Sequence, residues 1–128
     1  MGAIYLDSSA AAKLVWHENE STVLRNFLAQ REDLFCSRLV QVELGRVELR
    51  RGLGGPQVEK FLRSVVLLEV HVEVLEHAAR LPPAALRSLD AIHLATALSI
   101  PGLRDMVVYD RRLSAAAEAM GLRVWAPA

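Results

Sequence analysis

Residues 3–6 (Ala-Ile-Tyr-Leu) and 106–109 (Met-Val-Val-Tyr) are apolar runs with no alternation of polar and apolar positions, and each gives way abruptly to an aspartate-led helical segment. A strand with one wet face alternates, whereas a strand without alternation is buried on both faces, the situation of a parallel sheet covered by helices. Shorter strand segments are expected at 34–36, 67–70 and 124–125, with helices over 10–16, 21–31, 38–51, 57–66, 72–80, 88–98 and 111–120. The punctuation agrees with this order. Asp7-Ser8-Ser9 and Ser37 are suited to cap the helices after them, Gly52, Gly54 and Gly55 end the third helix, and Pro56 suits the first turn of the next. Pro82-Pro83 forces a connection, Pro101-Gly102 stops the helix before it, and Gly121 closes the last one. Strands alternating with helices predict one α/β domain over residues 1–128, a three-layer α/β/α arrangement with a central, mainly parallel sheet of four to five short strands.

In open parallel sheets ligands bind beyond the carboxyl ends of the strands. Asp7 and Asp110 each follow an apolar run, so a parallel arrangement brings two acids from opposite ends of the chain to one edge. Either could simply cap a helix, Asp90 could serve the dipole of the helix it opens, and Glu43 could pair with Arg46 or Arg50 on its own helix. Glu43, however, lies well inside its helix among Leu39, Val42, Leu44 and Val47, where capping has no part. A buried carboxylate there calls for an arginine, a proton or a metal. Several carboxylates at one sheet edge repel one another, and a divalent cation is the ordinary way to keep them ionised together. Cys36 is the only cysteine and the four histidines are dispersed, which favours hard, oxygen-ligated Mg²⁺ or Mn²⁺ over zinc.

The segments 4–10 (Ile-Tyr-Leu-Asp-Ser-Ser-Ala), 37–44 (Ser-Arg-Leu-Val-Gln-Val-Glu-Leu), 89–97 (Leu-Asp-Ala-Ile-His-Leu-Ala-Thr-Ala) and 108–113 (Val-Tyr-Asp-Arg-Arg-Leu) resemble, in order and spacing, the four sequence blocks of the PIN-domain family, most closely its VapC-type toxins. The resemblance spans nearly the whole chain and implies a PIN-like fold. It also implies that Asp7, Glu43, Asp90 and Asp110 form the family's acidic quartet, catalytic and metal-holding together, with Ser8 and Ser9 in supporting positions. Arg111 and Arg112 follow the last acid and are either phosphate contacts or solvated helix-surface charges; Arg112 is retained as a supporting residue. One departure is visible, since many members carry Thr or Ser two positions before the last acid and this chain has Val108.

By the same resemblance the expected activity is Mg²⁺-dependent endoribonuclease cleavage of structured cellular RNA such as transfer or ribosomal RNA, inhibiting translation. The implied partners are a VapB-type antitoxin, a second copy of the chain in a homodimer, and DNA reached only through the antitoxin in a larger assembly. Rival readings are a non-catalytic module that keeps the fold, and a metal-dependent phosphatase or receiver-like domain. The latter fits poorly, because the first strand carries no paired Asp and no Lys follows Lys60.

The bulk properties set limits without choosing among these. Fifteen basic and 15 acidic residues cancel, so no net field advertises nucleic-acid binding, and all basic residues except Lys13 and Lys60 are Arg, as suits bidentate phosphate or carboxylate contacts. A mean hydropathy of +0.23 is high for a small protein and fits an apolar face covered by a partner. The lone Cys36, the lack of an apolar run of membrane-spanning length and the absence of a leader pattern lead to an expected cytoplasmic location. Leu6 stands where a myristoylation motif needs Ser or Thr. His93, three residues after Asp90, is expected to be a packed or hydrogen-bonded helix residue, and Trp16 and Trp125 core or interface anchors.

Overall fold

A computed structural model describes residues 2–128. In chain order it contains β1 (Ile4–Leu6), α1 (Ser8–Val15), α2 (Ser21–Leu28), β2 (Leu34–Ser37), α3 (Leu39–Arg51), α4 (Gln57–Ser64), β3 (Val66–Leu68), α5 (Val72–Ala78), α6 (Ser88–Leu98), β4 (Asp105–Val107), α7 (Arg111–Ala119) and β5 (Arg123–Trp125). The five strands form one sheet in the order β3-β2-β1-β4-β5, and every neighbouring pair is parallel. The receiver-like order is β2-β1-β3-β4-β5, so the sheet belongs to a different topology.

Both faces of β1 are dry, which is why its sequence does not alternate. Ile4 and Leu6 pack into a core with α1 to α4, through residues such as Ala11, Leu24, Leu44 and Phe61. Tyr5, between them, points the other way into a second core with Val74 of α5, Leu94 of α6 and Leu113 of α7. The result is the expected α/β/α sandwich, with four helices on one face and three on the other.

Local boundaries follow hydrogen-bond supply. Asp7 is itself the cap of α1, its side chain accepting from Ala10 N, so the helix begins at Ser8 and not at residue 10. α3 begins at Leu39 with Arg38 in the cap position, and Ser37, expected as the cap, stands one residue further out and accepts from Leu39 N at 3.1 Å. Gly52 takes the left-handed conformation, φ 64°, that ends α3 without the strain a side chain would meet there. The third strand lies at Val66–Leu68 and not at 67–70, because its register runs Phe35↔Val66 to Ser37↔Leu68. Beyond Ser37 the partner chain segment turns into α3, leaving Glu69 and Val70 without a strand to pair with. β4 begins one residue early, at Asp105, and ends at Val107.

Asp105 is a charge buried at the amino edge of the sheet, one residue before the apolar run that marks the strand in the sequence. Its Oδ2 accepts from Arg31 Nη1 at 2.9 Å and its Oδ1 from Trp125 Nε1 at 3.0 Å. Arg123 Nε lies 2.9 Å from Oδ1. Burial pushes this carboxyl up, but the hydrogen bonds from Trp125, Arg31 and Arg123 outweigh it and hold the group below the ordinary carboxylate range. The cluster ties the chain after α2 to the first residues of β4 and β5. Removing the carboxylate leaves the Arg31 guanidinium, only 8% exposed, without its partner. Asp105→Ala is therefore expected to destabilise the fold by about 3 kcal/mol or more, read from urea unfolding at neutral pH. Because the folded-state value is depressed, the carboxylate's contribution is present above its ordinary value and lost as the pH falls through the folded one, so the wild-type and variant curves should converge in acid.

Candidate active site

Chain connectivity around β1 and β4 creates the site. From β1 the chain leaves through α1 toward β2 on one side, and from β4 through α7 toward β5 on the other, so the sheet reverses direction between these two neighbours. Such a switch point opens a crevice at the carboxyl edge, where the two departing loops diverge. Asp7 follows β1 directly and Asp110 lies three residues beyond Val107, so both stand at this crevice. Glu43 reaches it from α3 and Asp90 from the first turn of α6.

Asp7 is 3% exposed. Its Oδ1 accepts from Ser9 Oγ at 2.7 Å and from Ala10 N at 3.0 Å. The Ser9 hydroxyl oxygen in turn accepts from Tyr109 N at 3.3 Å, which joins the end of β1 to the segment that carries Asp110. Asp110 Oδ1 accepts from Arg112 N at 2.7 Å, capping α7, and Arg87 Nη2 stands 4.0 Å from Oδ2. The helix-capping explanations for Asp7 and Asp110 are thus correct as far as they go, but each uses only one carboxylate oxygen. Glu43 has a partner of a different kind. His93 Nε2 lies 2.7 Å from Glu43 Oε1, and neither Arg46 nor Arg50 pairs with it among the described residues. Asp90 is half-buried and takes no side-chain hydrogen bond among the described residues.

Asp90 feels the charge of the other three acids. Burial raises the Asp90 carboxyl above its usual range, and Asp110 adds to the rise, with Glu43 contributing further; Arg87 and His93 oppose it. Burial likewise raises Asp7 against the pull of Ser9 and Ala10, and Asp90 adds to it. Among the described residues no three acidic, histidine or cysteine side chains close into a ready ligand cage. Among the described residues Asp7, Glu43 and Asp110 each keep an oxygen that takes no hydrogen bond, and Asp90 is raised by the charges of Asp110 and Glu43. An all-oxygen donor set carrying unrelieved negative charge fits a hard divalent cation.

The supporting residues divide. Ser9 is built into the site through Asp7 and Tyr109, whereas Ser8 makes no side-chain hydrogen bond among the described residues and lines a neighbouring hollow of about 490 Å³ with Ser9, Glu43, Arg46 and Arg50. Arg112 lends its backbone N–H to Asp110, while its exposed side chain lines a separate apolar hollow with Pro82 and Pro83. Val108 is fully buried against α7, so it supplies no hydroxyl at the crevice. Trp16 packs at the edge of the first core and Trp125 rests on Phe27, consistent with their expected anchoring roles. The residue that sequence reasoning left out is Tyr5. Its hydroxyl lies 2.7 Å from His93 Nδ1, so His93 is hydrogen-bonded at both ring nitrogens, and the signal was a polar phenol inside an otherwise apolar strand.

Because the folded-state value of Asp90 is raised, the stability linked to this group is fully present below its unfolded value of 3.8 and is lost as the pH rises through the folded one. Asp90→Asn is therefore expected to raise the thermal midpoint of the metal-free chain at pH 7 and to leave it unchanged near pH 3, by calorimetry. A lower midpoint at pH 7 would show that Asp90 is a stabilising carboxylate and not part of a repelling group.

The PIN domain family model matches residues 4–119. Ribonuclease VapC46 of Mycobacterium tuberculosis is 42% identical over 129 residues, with 99% of each chain covered. Among solved structures, VapC20 of Mycobacterium tuberculosis, described as a sarcin-ricin loop cleaving toxin, superposes with a TM-score of 0.72 at 20% identity, covering 88% of this chain and 94% of that one. A toxin-antitoxin complex from Klebsiella pneumoniae superposes with a TM-score of 0.72 at 17% identity over 98% of each chain. The switch-point crevice, the acids that border it and a near full-length sequence match agree: the chain belongs to the PIN-domain family, among its VapC-type ribonucleases.

Proposed function

We propose that residues 1–128 act as one PIN domain, a Mg²⁺-dependent endoribonuclease, with Mn²⁺ able to substitute, that hydrolyses phosphodiester bonds in structured RNA of the transfer or ribosomal class and so inhibits translation. The observation that supports this most is the coupling of Asp90 to Asp110 and Glu43, and of Asp7 to Asp90, at the edge where a parallel sheet reverses direction. In this reading Asp7, Glu43, Asp90 and Asp110 would hold the cation, which when bound would polarise the phosphodiester and ease deprotonation of the attacking water near neutral pH. The protein's own part is placement. Ser9 and Ala10 fix Asp7, the Arg112 amide fixes Asp110, and His93 fixes Glu43. Arg46 and Arg50, lining the hollow that also exposes Glu43, supply positive charge for the flanking phosphates of the strand.

The proposal extends to partners. VapC-type relatives and a toxin-antitoxin complex of the same fold support a role as the toxin of a VapBC-type pair; a cytoplasmic location and a homodimer are part of the same proposal. An antitoxin helix would cover exposed apolar side chains such as Val42 and Leu89 beside the acids, with DNA contacted only through the antitoxin. No helix among the described residues is long and apolar enough to cross a membrane.

Purified chain, freed of antitoxin, is expected to cleave total RNA only with Mg²⁺ or Mn²⁺ present. Asp7→Asn and Asp110→Asn should remain folded by circular dichroism and lose about 10²-fold or more of the rate. Sequencing of the new 5′ ends would name the RNA. Cleavage that persists in chelator, or at the wild-type rate in both variants, would reject a carboxylate-held metal and leave a PIN-fold binding module as the better account.

A further inference from the structure

His93 is fully buried on α6 and is hydrogen-bonded to a group on each side of the sheet. Tyr5 Oη, in the middle of β1, lies 2.7 Å from Nδ1, and Glu43 Oε1, on α3, lies 2.7 Å from Nε2. A third bond sets the direction of the whole chain. Ser37 N, at the end of β2, donates to Tyr5 Oη at 3.1 Å. The phenol oxygen therefore accepts from the backbone and has its own proton to give.

Between the two neutral tautomers, proton counting leaves one consistent arrangement. The Tyr5 hydroxyl donates to Nδ1, so Nδ1 carries no proton, and Nε2 carries the ring hydrogen and donates it to Glu43. The opposite tautomer places two donors, Ser37 N–H and Nδ1–H, on one phenol oxygen and leaves the phenol proton with no acceptor in a fully buried position. The backbone of the central sheet thus selects the tautomer that offers a donor to Glu43.

We infer that His93 is a positioning residue for Glu43: an imidazole, held at Nδ1 by Tyr5 and through it by Ser37, that immobilises one oxygen of the carboxylate and leaves the other for a divalent cation. The inference rests on the metal-dependent reading of the site and assigns His93 a role within it. A glutamate reaching from a helix has several rotatable bonds, and without a fixed donor it would sample many positions over an open crevice. Tyr5 and His93 pack edge to face, centroids 5.9 Å apart, so the imidazole plane is held by packing as well as by both nitrogens. The link also crosses the sheet, since α3 lies on one face and α6 on the other.

Two measurements test this. In the metal-free, ¹⁵N-histidine-labelled wild type, long-range nitrogen–proton spectra at neutral pH should show His93 with a protonated Nε2 and an unprotonated Nδ1; the reverse pattern overturns the inference. Mn²⁺ titration calorimetry then compares His93→Leu, His93→Gln, Tyr5→Phe and Glu43→Gln with wild type. His93→Leu should bind Mn²⁺ about 10-fold to 100-fold more weakly. His93→Gln, whose amide keeps an N–H near the Nε2 position, should recover most of that loss. Tyr5→Phe should fall between, and it decides alongside the spectrum if His93→Leu does not fold. Weakened binding in Glu43→Gln with wild-type binding in His93→Leu and Tyr5→Phe overturns the positioning role and leaves the nuclease reading standing. Unchanged binding in Glu43→Gln overturns both.

Discussion

The parallel ladder between β1 and β4 is the contact on which the rest of this molecule depends. It pairs Ile4 with Asp105, Tyr5 with Met106 and Leu6 with Val107, residues about a hundred positions apart in the chain. Closing so long a loop carries an entropic cost, repaid here because each inward side chain of the two strands is fully buried. The same pairing sets the site. A parallel ladder in this register delivers both strands' exits to one edge, and a sheet that grows outward from that pair in both directions leaves a crevice between the exits.

That geometry places like charges together, against the interest of stability. Burial and mutual repulsion raise Asp7 and Asp90, while the backbone amides of Ala10 and Arg112, the Ser9 hydroxyl and the His93 imidazole each hold one oxygen of a carboxylate. These bonds orient the acids and offset part of the desolvation, yet they bring in no full positive charge at close range. Arg87, with a mostly exposed side chain 4.0 Å from Asp110 Oδ2, is the one arginine in ion-pair range of the group among the described residues. Carboxylates held in this condition cost the fold stability, and a cation bound beside them would relieve that cost.

Much of this was legible in the sequence because it is carried by local patterns. Apolar runs without alternation mark strands buried on both faces, and aspartates directly after them mark the functional edge. What local patterns do not carry is partner identity. The boundary of β3 depends on where β2 turns into α3, a property of the neighbouring strand. Asp105 reads as the polar residue before a strand, and only the approach of Arg31, Arg123 and Trp125 makes it a strand residue. Glu43 was expected to have an arginine, a proton or a metal as its partner; the imidazole of His93 was invisible because it arrives from the opposite face of the sheet. Tyr5 was hidden by its own apolar ring, which satisfies the strand pattern and conceals the hydroxyl.

The two edges of the sheet treat buried carboxylates in opposite ways, and the contrast separates structure from function. At the amino edge Asp105 is surrounded by two guanidiniums and an indole N–H, every oxygen is engaged, and its carboxyl is held below the ordinary range. At the carboxyl edge Asp7 and Asp90 are held above it, and their neighbours are further acids. The chain has arginines enough to pair both sets, and Arg46 and Arg50 stand one and two turns beyond Glu43 on the same helix without contacting it. A fold selected for stability alone would use them there as it uses Arg31 and Arg123 at the other edge, and the unpaired state of the acids is what a site completed from outside the chain would require.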